Sequence, residues 1–237
     1  MRFDNLDQWL AWQATLHPKE IDLGLERIST VWDRLATSAL NSRVISVAGT
    51  NGKGSSVAYL EAILRAAGYR VGCYTSPHLV RYNERIVIDG RQASDEQICQ
   101  AFERIDQARG DIELTYFEFG TLAALQLFRE AELDVVVLEV GLGGRLDAVN
   151  IVDPDVALIT TVDIDHTHWL GDTREQIGRE KAGIMRPGRP VVFGGRDIPK
   201  SVREHADSLG ARLLVAGEDY QWRRQETGWE WLHPEHP

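Results

Sequence analysis

The sequence has little cysteine, a deficit of basic charge and no long apolar run. Its cysteines, Cys73 and Cys99, have no metal-type spacing, which leaves no disulfide framework and reads most simply as a reduced compartment. Lysine plus arginine number 26 against 36 aspartate plus glutamate, a net charge of −10. Without a Lys/Arg cluster to offset that balance, nucleic acid is excluded as a partner. Anionic substrates would have to be attracted locally, by loop amides, single lysines and metal ions. The start, MRFDNLDQWLAWQ, carries Asp4 and Asp7 and neither a signal peptide nor a membrane span. A soluble, cytoplasmic, monomeric protein is expected, with no membrane partner.

What the chain does have is a globular composition. At 237 residues and 43% hydrophobic content it sits near the upper size of a single core. Helical patterns at 4–16 and about 24–38 come first. Apolar β-rich runs at 44–48, 71–75, 134–140, 156–162, 190–193 and 212–215 then alternate with helical patterns near 57–67, 94–108, 117–132, 173–186 and 199–209. That order predicts an α/β fold with a mainly parallel sheet and helices on both faces. Residues 81–90 read as a local strand or hairpin set into this scheme. The last stretch, 218–237, has Trp222, Trp229 and Trp231 and no helical period. It is expected to form a small hairpin packed on the domain edge or to begin a further region; packing is favoured, since exposed indoles are costly.

The segment VISVAGTNGKGSSVAYLEAILRAAG, 44–68, passes from strand to glycine loop to amphipathic helix. Glycines at 49, 52 and 54 surround Lys53, a composition suited to turning backbone amides and a helix N-terminus toward a phosphate. The usual G-x-x-x-x-G-K-[ST] pattern fails at Val47, in place of the first glycine, and at Gly54, in place of the hydroxyl. In parallel α/β sheets ligands lie beyond the carboxyl ends of the strands. There the sequence places Ser76 in TSPHL, Glu139 closing DVVVLEV, and Asp163, Asp165, His166 and His168 in DIDHTHWLG. Ser76-Pro77 also reads as a plain turn, Glu139 as a helix cap, and His166 as a polar surface residue. Lys181 falls on the apolar face of its helix, four after Ile177 and three before Ile184. It either snorkels its charge to water or points at a metal or phosphate site. The three glycines of GLGGRLD, 141–147, imply close backbone approach to a ligand.

These residues together resemble the Mur ligase superfamily and, within it, the folylpolyglutamate synthase/dihydrofolate synthase family. The resemblance runs from about residue 8 to 216 through IDLGLERI, GTNGKGS, TSPHLVRYNERI, LTYFEFGTL, LEVGLGGRLDAVNIV, DHTHWLG and IGREKAGI. It implies a P-loop NTPase-like fold of the Mur ligase central-domain type over residues 1–217, with an N-terminal helical segment that binds pteroate. ATP would be held at Gly49, Thr50, Asn51, Gly52, Lys53, Gly54 and Ser55. Ser76, Glu139 and His166 would ligate Mg²⁺, with two ions expected and Lys181 carbamylated beside the second. Lys53 and Lys181 would be the catalytic lysines. Pteroate contacts would fall on Thr15, Leu16, His17, Pro18, Thr115, Tyr116, Phe117, Glu118, Leu146, Asp147 and Ala148. The implied reaction adds L-glutamate to dihydropteroate or folate tails, using ATP through an acyl phosphate. The family also carries a C-terminal domain for adenosine and glutamate. The chain is therefore expected to be the N-terminal ATPase domain, inactive in ligation on its own. Another P-loop ATPase and a non-catalytic nucleotide- or folate-binding module are the competing readings.

Overall fold

In the computed structural model, residues 2–35 and 40–232 are described. Helices α1 (Leu6–Leu16) and α2 (Glu26–Leu35) lead into β1 (Arg43–Ala48), α3 (Lys53–Ala66) and β2 (Val71–Tyr74). A 3₁₀ turn, Tyr82–Arg85, precedes a hairpin of β3 (Ile86–Ile88) and β4 (Arg91–Gln92), so the strand or hairpin expected at 81–90 is there with a helical turn at its head. Then come α4 (Asp95–Arg109), α5 (Tyr116–Glu130), β5 (Val135–Glu139), β6 (Val156–Ile159), α6 (Thr167–Leu170) and α7 (Arg174–Ala182). The chain continues through β7 (Pro190–Phe193), α8 (Lys200–Ser208), β8 (Arg212–Val215), β9 (Gln221–Gln225) and β10 (Gly228–Leu232). The end of the helix expected to reach residue 38 and the final residues 233–237 lie outside the described residues.

The main sheet runs β4-β3-β2-β5-β1-β6-β7-β8. From β2 to β8 all pairings are parallel; only β3 and β4 are antiparallel. The glycine-loop strand β1 is central, between β5 and β6. Chain order reverses there, since α3 leads out to β2 on one side and β5 is followed by β6 on the other. Period-two alternation divides the strand side chains between two cores. Val44 and Ala48 of β1 with Val136 and Leu138 of β5 face the large core under α1, α2, α4 and α5. Val47, Val135 and Val137 face the smaller core under α3, with Val57, Val71 and Cys73. The same alternation puts Glu139 on the α3 face, two residues past Val137. Both cysteines are buried and unpaired, and burial pushes the Cys73 thiol up to about 12.

At residues 221–232 a two-stranded ribbon forms, with Trp231 opposite Trp222 and Arg223 Nε donating to Glu230 at 2.7 Å. Among the described residues the expected burial of the indoles is not found. Trp222, Trp229 and Trp231 are 60%, 72% and 46% exposed, because the ribbon pairs with no strand of the main sheet. Just before it, the chain is tied to the domain by Tyr220, whose hydroxyl donates to the Phe193 carbonyl at 3.1 Å.

Gly72 of β2 faces the large core so closely that an added Cβ would lie 2.5 Å from Leu133 Cδ1 and 2.8 Å from Phe128 Cδ1. Gly72→Ala is expected to lower stability by about 1–3 kcal/mol through overpacking. An unchanged or raised urea midpoint would contradict that packing.

Candidate active site

The loop between β1 and α3 is strapped to the end of β6. Thr50 N donates to Thr161 O at 2.8 Å, and Asn51 N to Thr161 Oγ1 at 3.2 Å. Thr160 Oγ1 donates to Asn51 O at 2.6 Å, and the Thr50 hydroxyl accepts from Asp163 N at 3.0 Å. Thr160 also fixes Gly49, where a Cβ would fall 1.8 Å from its Oγ1. Gly52, the N-cap of α3, has φ +84° in the left-handed region that glycine adopts without strain. The amides of Thr50 and Asn51 are thus taken by protein. Those of Lys53, Gly54 and Ser55 open the helix, where no intrahelical acceptor exists, and are the ones offered to an anion. Sequence reasoning did not single out Thr160 or Thr161; threonines at a strand end carry no signal until the pairing of β1 with β6 is known.

Lys53 Nζ donates to Gly49 O at 3.1 Å, and Lys181 Nζ donates to the same oxygen at 3.0 Å. Lys181 is buried, which removes the snorkelling alternative. Desolvation first, and the Lys53 charge second, lower its pKa to about 8, against the pull of Asp165 and Asp147. Glu139 is buried too, and desolvation raises its carboxyl above the usual range despite the Ser76 amide and Lys53. Its Oε2 accepts from Ser76 N at 3.1 Å. An added Cβ on Gly54 would stand 3.7 and 3.8 Å from the two carboxylate oxygens. The glycine that replaces the usual hydroxyl therefore faces the acid.

His166 is exposed, with a left-handed backbone (φ 49°) and an imidazole Nε2 3.6 Å from Asp165 Oδ2. Among the described residues no group of three or more His, Cys, Asp or Glu side chains is arranged to hold a metal by itself. Hard-oxygen donors at Ser76 and Glu139 still suit a dication that takes most of its ligands from phosphate and water.

GLGGRLD lines the cleft at Gly141, Leu142, Leu146 and Asp147 and also seats neighbouring parts of the protein. A Cβ on Gly144 would stand 2.7 Å from Glu180 O and 2.9 Å from Lys181 O. Arg145 N donates to Glu180 O at 2.8 Å, and the Asn150 amide bridges the carbonyls of Arg145 and Gly183. All three glycines accommodate protein: Gly144 seats α7, and with it Lys181, Gly143 lies against Leu170, and Gly141 lies against the Phe117 ring.

A cleft of about 860 Å³ extends from Lys53, Ser76 and His166 to the N-terminal segment. His17, Pro18, Thr115, Tyr116, Phe117, Glu118, Leu146, Asp147 and Ala148 line it; Thr15 and Leu16 do not. The correction follows from helix periodicity. Gln13 faces the cleft, so Thr15, about 200° further round α1, points out and donates its hydroxyl to Trp12 O at 2.9 Å. Leu16 packs on the large core. Thr115 and Glu118 are also the reciprocal capping box of α5. Residues 19–24, Gln13 and Arg85 line the cleft as well and were not foreseen. Asp22 organises that rim, with Lys19 at 2.8 Å and Arg27 at 2.5 Å; the Lys19 hydrogen bond, then Arg27, hold its carboxyl below the usual range.

The matched family description is "Mur ligase middle domain", over residues 47–222. The dihydrofolate synthase/folylpolyglutamate synthase of Escherichia coli K12 is 52% identical over 226 residues, covering 95% of this chain and 53% of that protein. The structure of E. coli FolC in complex with DHPP and ADP superposes with a TM-score of 0.95 at 50% identity, covering 98% of this chain and 56% of that one. A Yersinia pestis bifunctional folylpolyglutamate synthase/dihydrofolate synthase complexed with AMPPNP and Mn ion gives 0.92 at 53% identity, with 98% and 56% covered. The chain spans about half the length of the curated relatives it matches. No helix among the described residues is long and apolar enough to cross a membrane.

Asp147, buried at the cleft, accepts from Leu142 N at 2.8 Å and Val149 N at 3.1 Å. Desolvation raises its pKa to about 7 from 3.8, outweighing these donors. Between those values the folded state keeps a proton that the unfolded state releases, so this group's stabilising contribution is full below about pH 4 and is lost as pH rises through 7. Asp147→Asn is expected to remove that slope. The check is the difference in urea midpoint between wild type and variant across pH 4–8; a constant difference would refute it.

Proposed function

The chain belongs to the Mur ligase family, and on that premise we propose that it is the nucleotide- and pteroate-binding part of an ATP-dependent ligase that joins L-glutamate to dihydropteroate or to folate glutamate tails. The observation that carries the reading is the meeting of Lys53 and Lys181 at the Gly49 carbonyl, at the mouth of a cleft long enough for a second ligand. The relatives that resemble the chain bear the names of these two activities, and their structures hold ADP, AMPPNP, DHPP and Mn.

In this reading Lys53 and the first-turn amides of α3 hold the outer phosphates of ATP. The γ-phosphoryl group passes to the substrate carboxylate, giving an acyl phosphate that the glutamate amine attacks with loss of phosphate. Lys53 offsets charge growing on the transferred oxygens. Ser76, Glu139 and His166 would hold Mg²⁺, which when bound supplies a further positive charge beside the phosphates. Tyr116, Phe117, Leu146 and Ala148 offer a mostly apolar wall for an aromatic ring system. In this reading the protein works as a cytoplasmic monomer without nucleic-acid or membrane partners.

Lys181 is the carbamate-forming residue of this proposal. With a pKa of about 8, a large share of its amine is neutral near that pH and free to attack CO₂, releasing a proton. The product is an anion, so a repelling lysine pair becomes an attracting one and a second Mg²⁺ gains an oxygen ligand. Intact-mass measurement under CO₂ at about pH 8 should find one added CO₂, absent in Lys181→Met. An unmodified wild type under those conditions would remove the second-metal role.

Because the relatives are about twice as long as the stretch they share with this chain, binding and ligation are tested apart. Lys53→Ala should weaken AMPPNP binding by about tenfold or more, since a charge-assisted contact to the outer phosphates is lost, and should abolish ATP-dependent glutamate ligation in the intact enzyme. Wild-type affinity and turnover in that variant would refute the assignment.

A further inference from the structure

Arg85 is a cleft residue whose charge no acidic side chain answers. It closes the 3₁₀ turn and is pinned beside the phosphate site, because Thr75 N, next to Ser76, donates to Arg85 O at 3.0 Å. The acid adjacent to it in sequence, Glu84, is occupied: its carboxylate accepts from the amides of Leu79, Val80 and Arg81 at 2.7–2.9 Å. Arg85 is only 8% exposed. Its Nε donates to His78 Nδ1 at 2.8 Å, and its guanidinium lies over the rings of Tyr82 and Tyr116, 5.3 and 5.5 Å from their centroids. Beyond His78 and the Tyr74 hydroxyl it has no hydrogen-bond acceptor among the described residues.

The other buried or cleft-facing cations are satisfied differently. Arg109, equally buried, pairs with Asp106 at 2.8 Å and donates to the Ile112 carbonyl. Arg27 pairs with Asp22, and Lys53 and Lys181 donate to a carbonyl. A buried guanidinium without a counter-ion is costly, and tyrosine faces compensate only in part. Its planar fork matches a carboxylate with two parallel hydrogen bonds. A phosphate is the less fitting occupant, because Lys53 and the start of α3 already serve one.

We propose that Arg85 recognises the carboxylate of the acyl substrate and holds it in the cleft beside Ser76, within the phosphate loop's reach. The inference rests on the ligase reading and adds to it the residue that selects an acid over its neutral analogue. Tyr116 then has two tasks, walling the cleft and backing the guanidinium.

The test titrates the protein with pteroate and with its primary carboxamide, followed by tryptophan fluorescence, with AMPPNP as a separate arm. Wild type should prefer the carboxylate by about tenfold to a hundredfold, the range of a hydrogen bond between charged groups. Arg85→Gln and Arg85→Met should lose that preference while binding the carboxamide and AMPPNP as wild type does. Arg85→Lys, which keeps the charge and the stem over the tyrosine rings, should fall between. Equal binding of acid and amide by wild type overturns the proposal without any variant. So does full discrimination retained in Arg85→Lys or Arg85→Met, or loss confined to the AMPPNP arm, which would make Arg85 a phosphate ligand. If wild type binds neither pteroate nor its amide, the ligase reading falls and the inference with it. If it discriminates and the variants still do, only the inference falls.

Discussion

The carbonyl oxygen of Gly49 accepts from two ammonium groups, and much of the site is arranged around the difficulty this creates. With both nitrogens about 3 Å from one atom, they lie within about 6 Å of each other. A fold tolerates such a pair only where something else holds the parts together. Lys53 is delivered by the β1–α3 corner, which Thr160 and Thr161 strap to β6. Lys181 is delivered by α7, whose end is locked to 144–150 by Gly144, Arg145 and Asn150. The repulsion is one source of the depressed Lys181 pKa, after burial. It also makes the corner receptive to negative charge, in a chain whose net charge is −10.

Much of this was legible in the sequence because it rests on periodicity. Strand alternation with helical gaps implied the parallel sheet, and carboxyl-end logic implied that the glycine loop, Ser76, Glu139 and His166 share one edge. Lys181 stood out because a lysine at an apolar helical position is a local contradiction. Of the glycines of 141–147 read as ligand-facing, Gly141 does line the cleft, while Gly143 and Gly144 meet protein. Glycine marks close approach, and sequence alone does not say to what. At Gly144 the approaching surface is the backbone of α7.

Other features depend on contacts between segments far apart in the chain. The cleft wall at residues 19–24 is a loop held by Asp22, Lys19 and Arg27; its residues form no motif by themselves. The family resemblance implies Thr15 and Leu16 as site residues, but α1 runs to Leu16 and turns Thr15 away. The tryptophan ribbon exposes a second limit. The area argument predicts that indoles are covered, yet says nothing about which surface covers them, and no strand of the main sheet pairs with these.

Gln13 shows how the two halves of the cleft differ. Its carboxamide is 1% exposed, and neither amide atom has a partner among the described residues. Leaving a buried amide unmade costs about 1–3 kcal/mol, so the position is strained in the same sense as Arg85. Near the phosphate loop the unmet demand is charged, at Arg85; near α1 it is neutral, at Gln13.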